Sequence, residues 1–395
     1  MEGRATVNLL YGDSEQALAE SLNALLKDRS GWDKVLARTE SEQTYDTGLW
    51  AAIAGDLGCA GLLIPEYAGG AGASYREAAT AAETLGAAVA PVPFLGSAVV
   101  ATACLLACRG SAEAQHQQAE HLIRRMADGG LTAALAVSFV IMPGSRFPVT
   151  VRVAGSQPGD QAAGWSRLRG TISGVADALP AGVLLVPADG VPQALYAVDM
   201  STARVTRTPV TSLDMTRQLC DITLDDAPGV RIATGRLASQ ALTYALTAGA
   251  GILAAEQLGL AEHCLNLTVQ YVKERRQFAR PVGSFQAIKH RLADIWVEVA
   301  QARAASRYAA DCLAAESPDL VSSETAVAVS LAKAYCSDVA VHAAQECVQL
   351  HGGIGFTWEH QAHLYLKRAK ADSLGFGTAD AHRAALAKLV NIPAP

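Results

Sequence analysis

Between residues 237 and 255 the chain carries no charged side chain, and from residue 236 to 255 it contains neither Asp nor Glu. A stretch this long and apolar on every side is stable only in lipid or at the centre of a large helical assembly. Ser239, Gln240, Thr243 and Thr247, with Gly249 and Gly251 among them, make a poor lipid-facing surface, so the expectation is a buried helix and no membrane span. The chain has the material to bury it. With 395 residues, half of them apolar, it suffices for about two or three packed units around a large core.

The flanking pattern divides in three. Up to residue 130 it reads as helices over 14–28, 47–57, 75–88, 96–108 and 112–127, the first capped by Asp13 with Gln16 three residues on. Gly69, Gly70 and Gly72, after Leu62-Leu63-Ile64-Pro65-Glu66, mark a tight turn, a weak phosphate cradle without a P-loop lysine. Residues 131–232 turn to short β-rich runs at 149–153, 182–186, 194–198 and 204–206, expected as a small antiparallel, barrel-like β domain. From 233 to 395 long helices return over 237–275, 285–315, 323–350 and 379–390. The fold class is therefore α+β: an N-terminal helical domain, a β domain and a C-terminal four-helix bundle.

Composition excludes several functions. A net charge of −6 argues against nucleic acid as a partner. The eight cysteines show no metal-ligand spacing, and nothing near Asp13, Glu15 and Glu20 reads as a secretory signal, so a reduced, cytoplasmic protein is expected. His360 and His363, i and i+3 on an expected helix, lack a third ligand, and no metal is assigned. One local charge run stands out: Lys273, Arg275, Arg276, Arg280, Lys289 and Arg291 against Glu274 alone.

That run contains Tyr271-Val272-Lys273-Glu274-Arg275-Arg276-Gln277-Phe278-Ala279-Arg280-Pro281-Val282, then Phe285-Gln286. A second motif follows, Gln349-Leu350-His351-Gly352-Gly353-Ile354-Gly355-Phe356-Thr357, with Glu359 beyond it. A guanidinium at Arg275 suits two phosphate oxygens, and glycines past a long helix let backbone N–H groups approach an anion or a ribose. His351 abuts the glycine pair and is read either as a cofactor contact or as a helix cap. Together the motifs and the helix–sheet–helix plan resemble the acyl-CoA dehydrogenase family over essentially the whole chain. The resemblance implies FAD, shared across a subunit interface, with Arg275, Phe278, Gln286, Gln349, Gly352, Gly353 and Thr378 as cofactor-binding residues. It also implies an acyl-CoA thioester as substrate and an electron-transfer flavoprotein as redox partner.

Two departures from the family pattern matter. The family's glutamate before a Gly-Thr pair removes the α-proton of the thioester, and here Leu374-Gly375-Phe376-Gly377-Thr378 puts Phe376 in its place. An alternative family position for the base, early on the first long helix, falls near Gly249. The flavin-facing β segment is altered too: Ala136-Val137-Ser138-Phe139-Val140-Ile141-Met142-Pro143-Gly144-Ser145 lacks the family's Thr-Glu-Pro, and Gly170-Thr171-Ile172-Ser173-Gly174-Val175 lacks its tryptophan.

The chain therefore looks most like the base-lacking subunit of heteromeric steroid-type acyl-CoA dehydrogenases, completing the FAD site of a homologous catalytic partner in lipid or steroid catabolism. The Leu213-Asp214-Met215-Thr216-Arg217 stretch and the ending Gly377-Thr378-Ala379-Asp380-Ala381-His382-Arg383 are similar to such partners. Whether this chain alone is an enzyme is left open. Two alternatives stand beside that reading: a self-sufficient homo-oligomer with Asp372, Asp380 or Glu256 as a relocated base, and a flavin-free scaffold. Small residues at Gly249, Ala250, Gly251 and Gly375 suggest a roomy or displaced acyl pocket.

Overall fold

The computed structural model describes residues 9–110, 113–154, 164–318 and 321–392. Six helices come first: α1 (Asp13–Arg29), α2 (Trp32–Thr39), α3 (Thr47–Ala51), α4 (Tyr75–Ala87), α5 (Thr102–Ala107) and α6 (Glu113–Met126). Asp13 is not the cap of α1. Gly12 takes that place and its N–H donates to Glu15 at 2.8 Å, because Glu15 is fixed there by Arg76 at 2.8 Å. The glycine turn takes left-handed backbone at Gly69 and Gly72, where φ is +92° and +59°.

Seven strands follow: β1 (Ala133–Leu135), β2 (Val151–Ala154), β3 (Trp165–Ala176), β4 (Val183–Ala188), β5 (Ala194–Asp199), β6 (Val205–Val210) and β7 (Leu219–Thr234). They form one sheet in the order β1-β4-β5-β7-β3-β2, with β6 also on β7. The sheet is not purely antiparallel. β1 enters from the helical part and pairs with β4 in parallel, which the intervening β2 and β3 permit as a long crossover. A bridge from Arg152 to Asp189 curls the far edge back, so the sheet is barrel-like.

The C-terminal part comprises α7 (Gly235–Glu274), a hairpin of β8 (Arg276–Gln277) and β9 (Arg280–Pro281), then α8 (Gln286–Ala314), α9 (Ser323–His351), α10 (Ala362–Asp372) and α11 (Ala379–Leu389). α7 is the one described helix long and apolar enough to cross a membrane, and most of it is buried inside the protein. It packs on α4, α8 and α9. The contact with α4 is backbone-close: a Cβ on Gly259 would overlap the Glu83 carbonyl, and one on Gly86 would overlap that of Glu256.

Glu256 is a buried acid on α7. It accepts from Arg217, in the loop before β7, at 2.7 and 2.5 Å, and from Arg368 on α10 at 2.7 Å. Arg368 also donates to Thr216 at 2.7 Å and pairs with Asp214 at 3.4 Å. Burial alone would raise the Glu256 carboxyl, but the two guanidiniums hold it down at about 2. The network fastens the sheet to the bundle. Removing one partner of a buried ion pair leaves the other charge unpaired, so Arg368→Met should cost about 3–5 kcal/mol of unfolding free energy in guanidinium titrations.

A candidate cofactor half-site and a sealed cleft

The basic run folds into a corner. Arg275 caps α7, its N–H donating to Tyr271 at 2.8 Å, and its carbonyl accepts from Val282 at 2.8 Å. Between them the β8–β9 hairpin turns through Phe278 and Ala279, both with positive φ, +50° and +62°. Such turns ordinarily use Asn-Gly, so two residues with side chains store strain there. The turn holds Phe278 away from the protein at 86 % exposure, edge-on to Phe285 at 6.2 Å. Gln286 opens α8 beside it.

Across this corner α9 ends at His351, and Gly352 follows with φ +63°, its N–H returned to the Gln349 carbonyl. A Cβ on Gly352 or Gly353 would meet no atom within 4 Å. The two segments enclose an open cavity of about 560 Å³ walled by Tyr271, Arg275, Ile288, Arg291, Gln349, His351, Gly352 and Gly353. Arg275 makes no ion pair with the described residues. Of the residues read as cofactor-binding, Arg275, Gln349, Gly352 and Gly353 thus share one cavity. Phe278 and Gln286 sit beside it without lining it. Thr378 lies apart, capping α11 by accepting from the Ala381 N–H at 3.2 Å.

The other feature is a closed cleft between the N-terminal helical part and the sheet, sealed by the Phe376 loop. Phe376 takes a left-handed φ of +52°, and its N–H donates to the Phe139 carbonyl at 2.7 Å. His382 Nε2 donates to the Phe376 carbonyl at 2.9 Å. The two phenyl rings meet edge to face at 5.4 Å, and Arg217 lies over the Phe139 ring at 5.5 Å. What remains is a void of about 20 Å³ walled by Leu95, Val100, Phe139, Asp177, Arg217, Phe376 and their neighbours. Gly249 and Phe376 converge on this spot: a Cβ on Gly249 would stand 2.8 Å from the Phe376 ring.

The small residues do not make a roomy pocket. Gly249 is filled by Phe376 and Val100, Gly251 by Leu313 and Val329, and Gly375 by Phe139 and Leu253. Nor does any of the three acids considered as a base reach the void. Asp372 is fully buried between Arg217 at 3.7 Å and Arg368 at 3.3 Å, and burial with the nearby Glu256 pushes its carboxyl up to about 8. Glu256 is taken up by the two arginines. Asp380 is exposed and paired with Arg383 at 3.0 Å. His360 is not on a helix with His363, since α10 begins at Ala362, whose N–H donates to His360 Nδ1 at 3.2 Å. No group of three metal-ligating side chains occurs among the described residues.

Tyr271, Ile288 and Arg291 were not singled out from the sequence as lining residues. Their signal was present in helical spacing: Ile288 and Arg291 are i and i+3 on α8, one face turned to the cavity. Lys333 gave no signal. It is fully buried on α9, donating to Ser337 at 2.7 Å and to the carbonyls of Asp372 at 3.1 Å and Gly377 at 3.3 Å, and it braces the Phe376 loop from behind.

Comparison with known proteins agrees with this architecture. Residues 12–133 match the acyl-CoA dehydrogenase N-terminal domain and residues 239–390 the acyl-CoA dehydrogenase C-terminal domain. The acyl-CoA dehydrogenase IpdE2 of Mycolicibacterium smegmatis is 33% identical over 359 residues, 90% of this chain and 92% of that protein. FadE34 of Mycobacterium tuberculosis is 33% identical over 81% of this chain, but that match spans only 39% of FadE34. Among solved structures, a variant of the Tcur3481–Tcur3483 steroid ACAD superposes with a TM-score of 0.80 at 28% identity, covering 97% of this chain and 99% of that one. The ChsE4–ChsE5 complex of Mycobacterium tuberculosis shares the fold at a TM-score of 0.83 and 24% identity, covering 98% of this chain and 100% of that one. By fold, domain matches and full-length likeness, the chain belongs to the acyl-CoA dehydrogenase family.

Proposed function

We propose that this chain is the non-catalytic subunit of a heteromeric flavin-dependent acyl-CoA dehydrogenase, completing the FAD site of a homologous catalytic partner. The observation that carries this reading is the contrast between its two clefts. The one with Arg275, Gln349, Gly352 and Gly353 is open at about 560 Å³, whereas the one at Phe376 is reduced to about 20 Å³.

The residues of the open side fit a dinucleotide. Arg275 offers an unengaged planar fork for the diphosphate, and Gly352 and Gly353 leave room for backbone contact with it or with a ribose. Bound there and extending into the partner, FAD would supply hydride acceptance from the β-carbon of an acyl-CoA thioester. The α-proton would be taken by a base of the partner, since this chain places no carboxylate at either family position. Phe278 and the exposed Phe356 and Trp358 give the open side an apolar rim suited to burial against another subunit. An electron-transfer flavoprotein is the expected acceptor of the electrons.

Purified alone, the chain should show no acyl-CoA dehydrogenase turnover and substoichiometric flavin. Co-expressed with a family member from its gene neighbourhood it should form a complex with both. Turnover by the lone, flavin-saturated chain would favour a self-sufficient enzyme, and absence of flavin from every assembly would favour a scaffold. Arg275→Gln should lower flavin occupancy of the complex by about tenfold or more, as loss of a charge-assisted phosphate contact does. Phe376→Leu, which keeps the plug apolar, should leave turnover of the complex within about twofold, because the cleft it fills does no chemistry. A large change in rate would place substrate in this subunit instead.

A further inference from the structure

One ring nitrogen of a residue that lines the open cavity is buried and has no partner among the described residues. His351, the last residue of α9, is 3 % exposed and lines the cavity with Arg275 and Gly353. Its ring lies between those of Tyr271 and His360, each 4.3 Å away between centroids. Nδ1 donates to the Cys347 carbonyl at 2.6 Å, with the Cys347 sulfur 3.7 Å off, while Nε2 bonds to no described residue. A carbonyl only accepts, so the Nδ1 proton is fixed and Nε2 is where a proton is gained or lost. A buried polar atom left unpaired is a cost that a native structure rarely carries without a use.

The electrostatics of the cavity supply one. Two long helices, α7 and α9, end at it, and the carboxyl end of a helix favours cations and opposes anions. A diphosphate held there needs positive side chains. Arg275 pairs with no carboxylate among the described residues, but Arg291 is engaged by Glu346 at 2.5 Å. The titratable groups packed on His351 are Tyr271 from α7, Cys347 from its own helix and His360 from the segment beyond it, with Arg275 and Arg291 across the cavity and no carboxylate among them. Burial opposes charge on His351, yet its bonds to Cys347 outweigh that and raise its pKa. His360 is pushed down to about 4 by burial and by the neighbouring His351 and His363. Of these two neighbouring rings, His351 is therefore the one that takes a proton.

We propose that His351 is a further cofactor-binding residue of this half-site: its Nε2–H donates to the anionic dinucleotide, and binding draws one proton onto the ring. The proposal rests on the reading of the cavity as a cofactor half-site. Because the bound state holds the extra proton, the gain in affinity is complete below the ring's free pKa, declines as pH rises above it, and is gone once pH passes the ring's raised pKa in the complex.

The test is calorimetric titration of ADP and of FAD into the full-length chain and into its flavin-stripped complex, in buffers of differing ionisation enthalpy from pH 6 to 8. The expected result is uptake approaching one proton per ligand and affinity about tenfold weaker at pH 8 than at pH 6. His351→Gln, checked for folding by its melting temperature, should abolish the uptake and flatten the pH profile. Binding by the wild-type protein with no proton uptake would overturn the proposal whether or not the variant folds. If Arg275→Gln weakens binding while His351→Gln leaves the profile unchanged, the half-site stands and the role of His351 falls. If neither ligand binds wild-type protein in any assembly, the half-site reading itself fails, and this proposal with it.

Discussion

Burial of α7 on every side is the constraint from which the rest of the arrangement follows. A helix without charge over most of its inner length must be covered by neighbours: α4 comes backbone-close because Gly86 and Gly259 lack side chains, and α8 and α9 press Leu313 and Val329 onto Gly251. Where α7 does carry an acid deep inside, at Glu256, the charge must be matched. The match comes from Arg217 beside the sheet and Arg368 on α10, so compensation of one carboxylate sets how the sheet is held on the bundle.

That placement explains how one cleft closes and the other stays open. A carboxylate at position 376 would be buried against Phe139, Val100 and Leu95 and close to Asp177, so it would need Arg217, water or a ligand beside it to stay ionised. Phenylalanine removes that requirement, and the walls come together by an edge-to-face contact and a backbone hydrogen bond. On the opposite side Arg275 and the bare glycines have no such inward partners. Their groups stay turned outward, as they do when their partner is supplied by another molecule.

Much of this was legible in the residues, for identifiable reasons. The buried helix follows from missing charge, the helical and β segments from periodicity, and the meeting of Arg275 with Gly352 and Gly353 at one cavity from the two motifs that carry them. Long-range geometry was not legible. Nothing in the spacing of Gly249, Gly251 and Gly375 says that Phe376, Leu313 and Phe139 fill the space each leaves, so in the sequence small residues look like room. The parallel pairing of β1 with β4 depends on strands far apart in the chain. The short helix α2, with Pro-free but weakly apolar sequence, and the bracing Lys333 likewise depend on tertiary neighbours.

The hairpin at Phe278 and Ala279 has a consequence for assembly. Both residues adopt a conformation that side chains disfavour, and they do so in the isolated subunit. The penalty is thus met during folding, before any encounter, and the projecting ring arrives already aimed. A rigid hook loses little freedom when it docks. Any surface that docks at this corner would meet a shape already set, with no ordering of the turn left to complete.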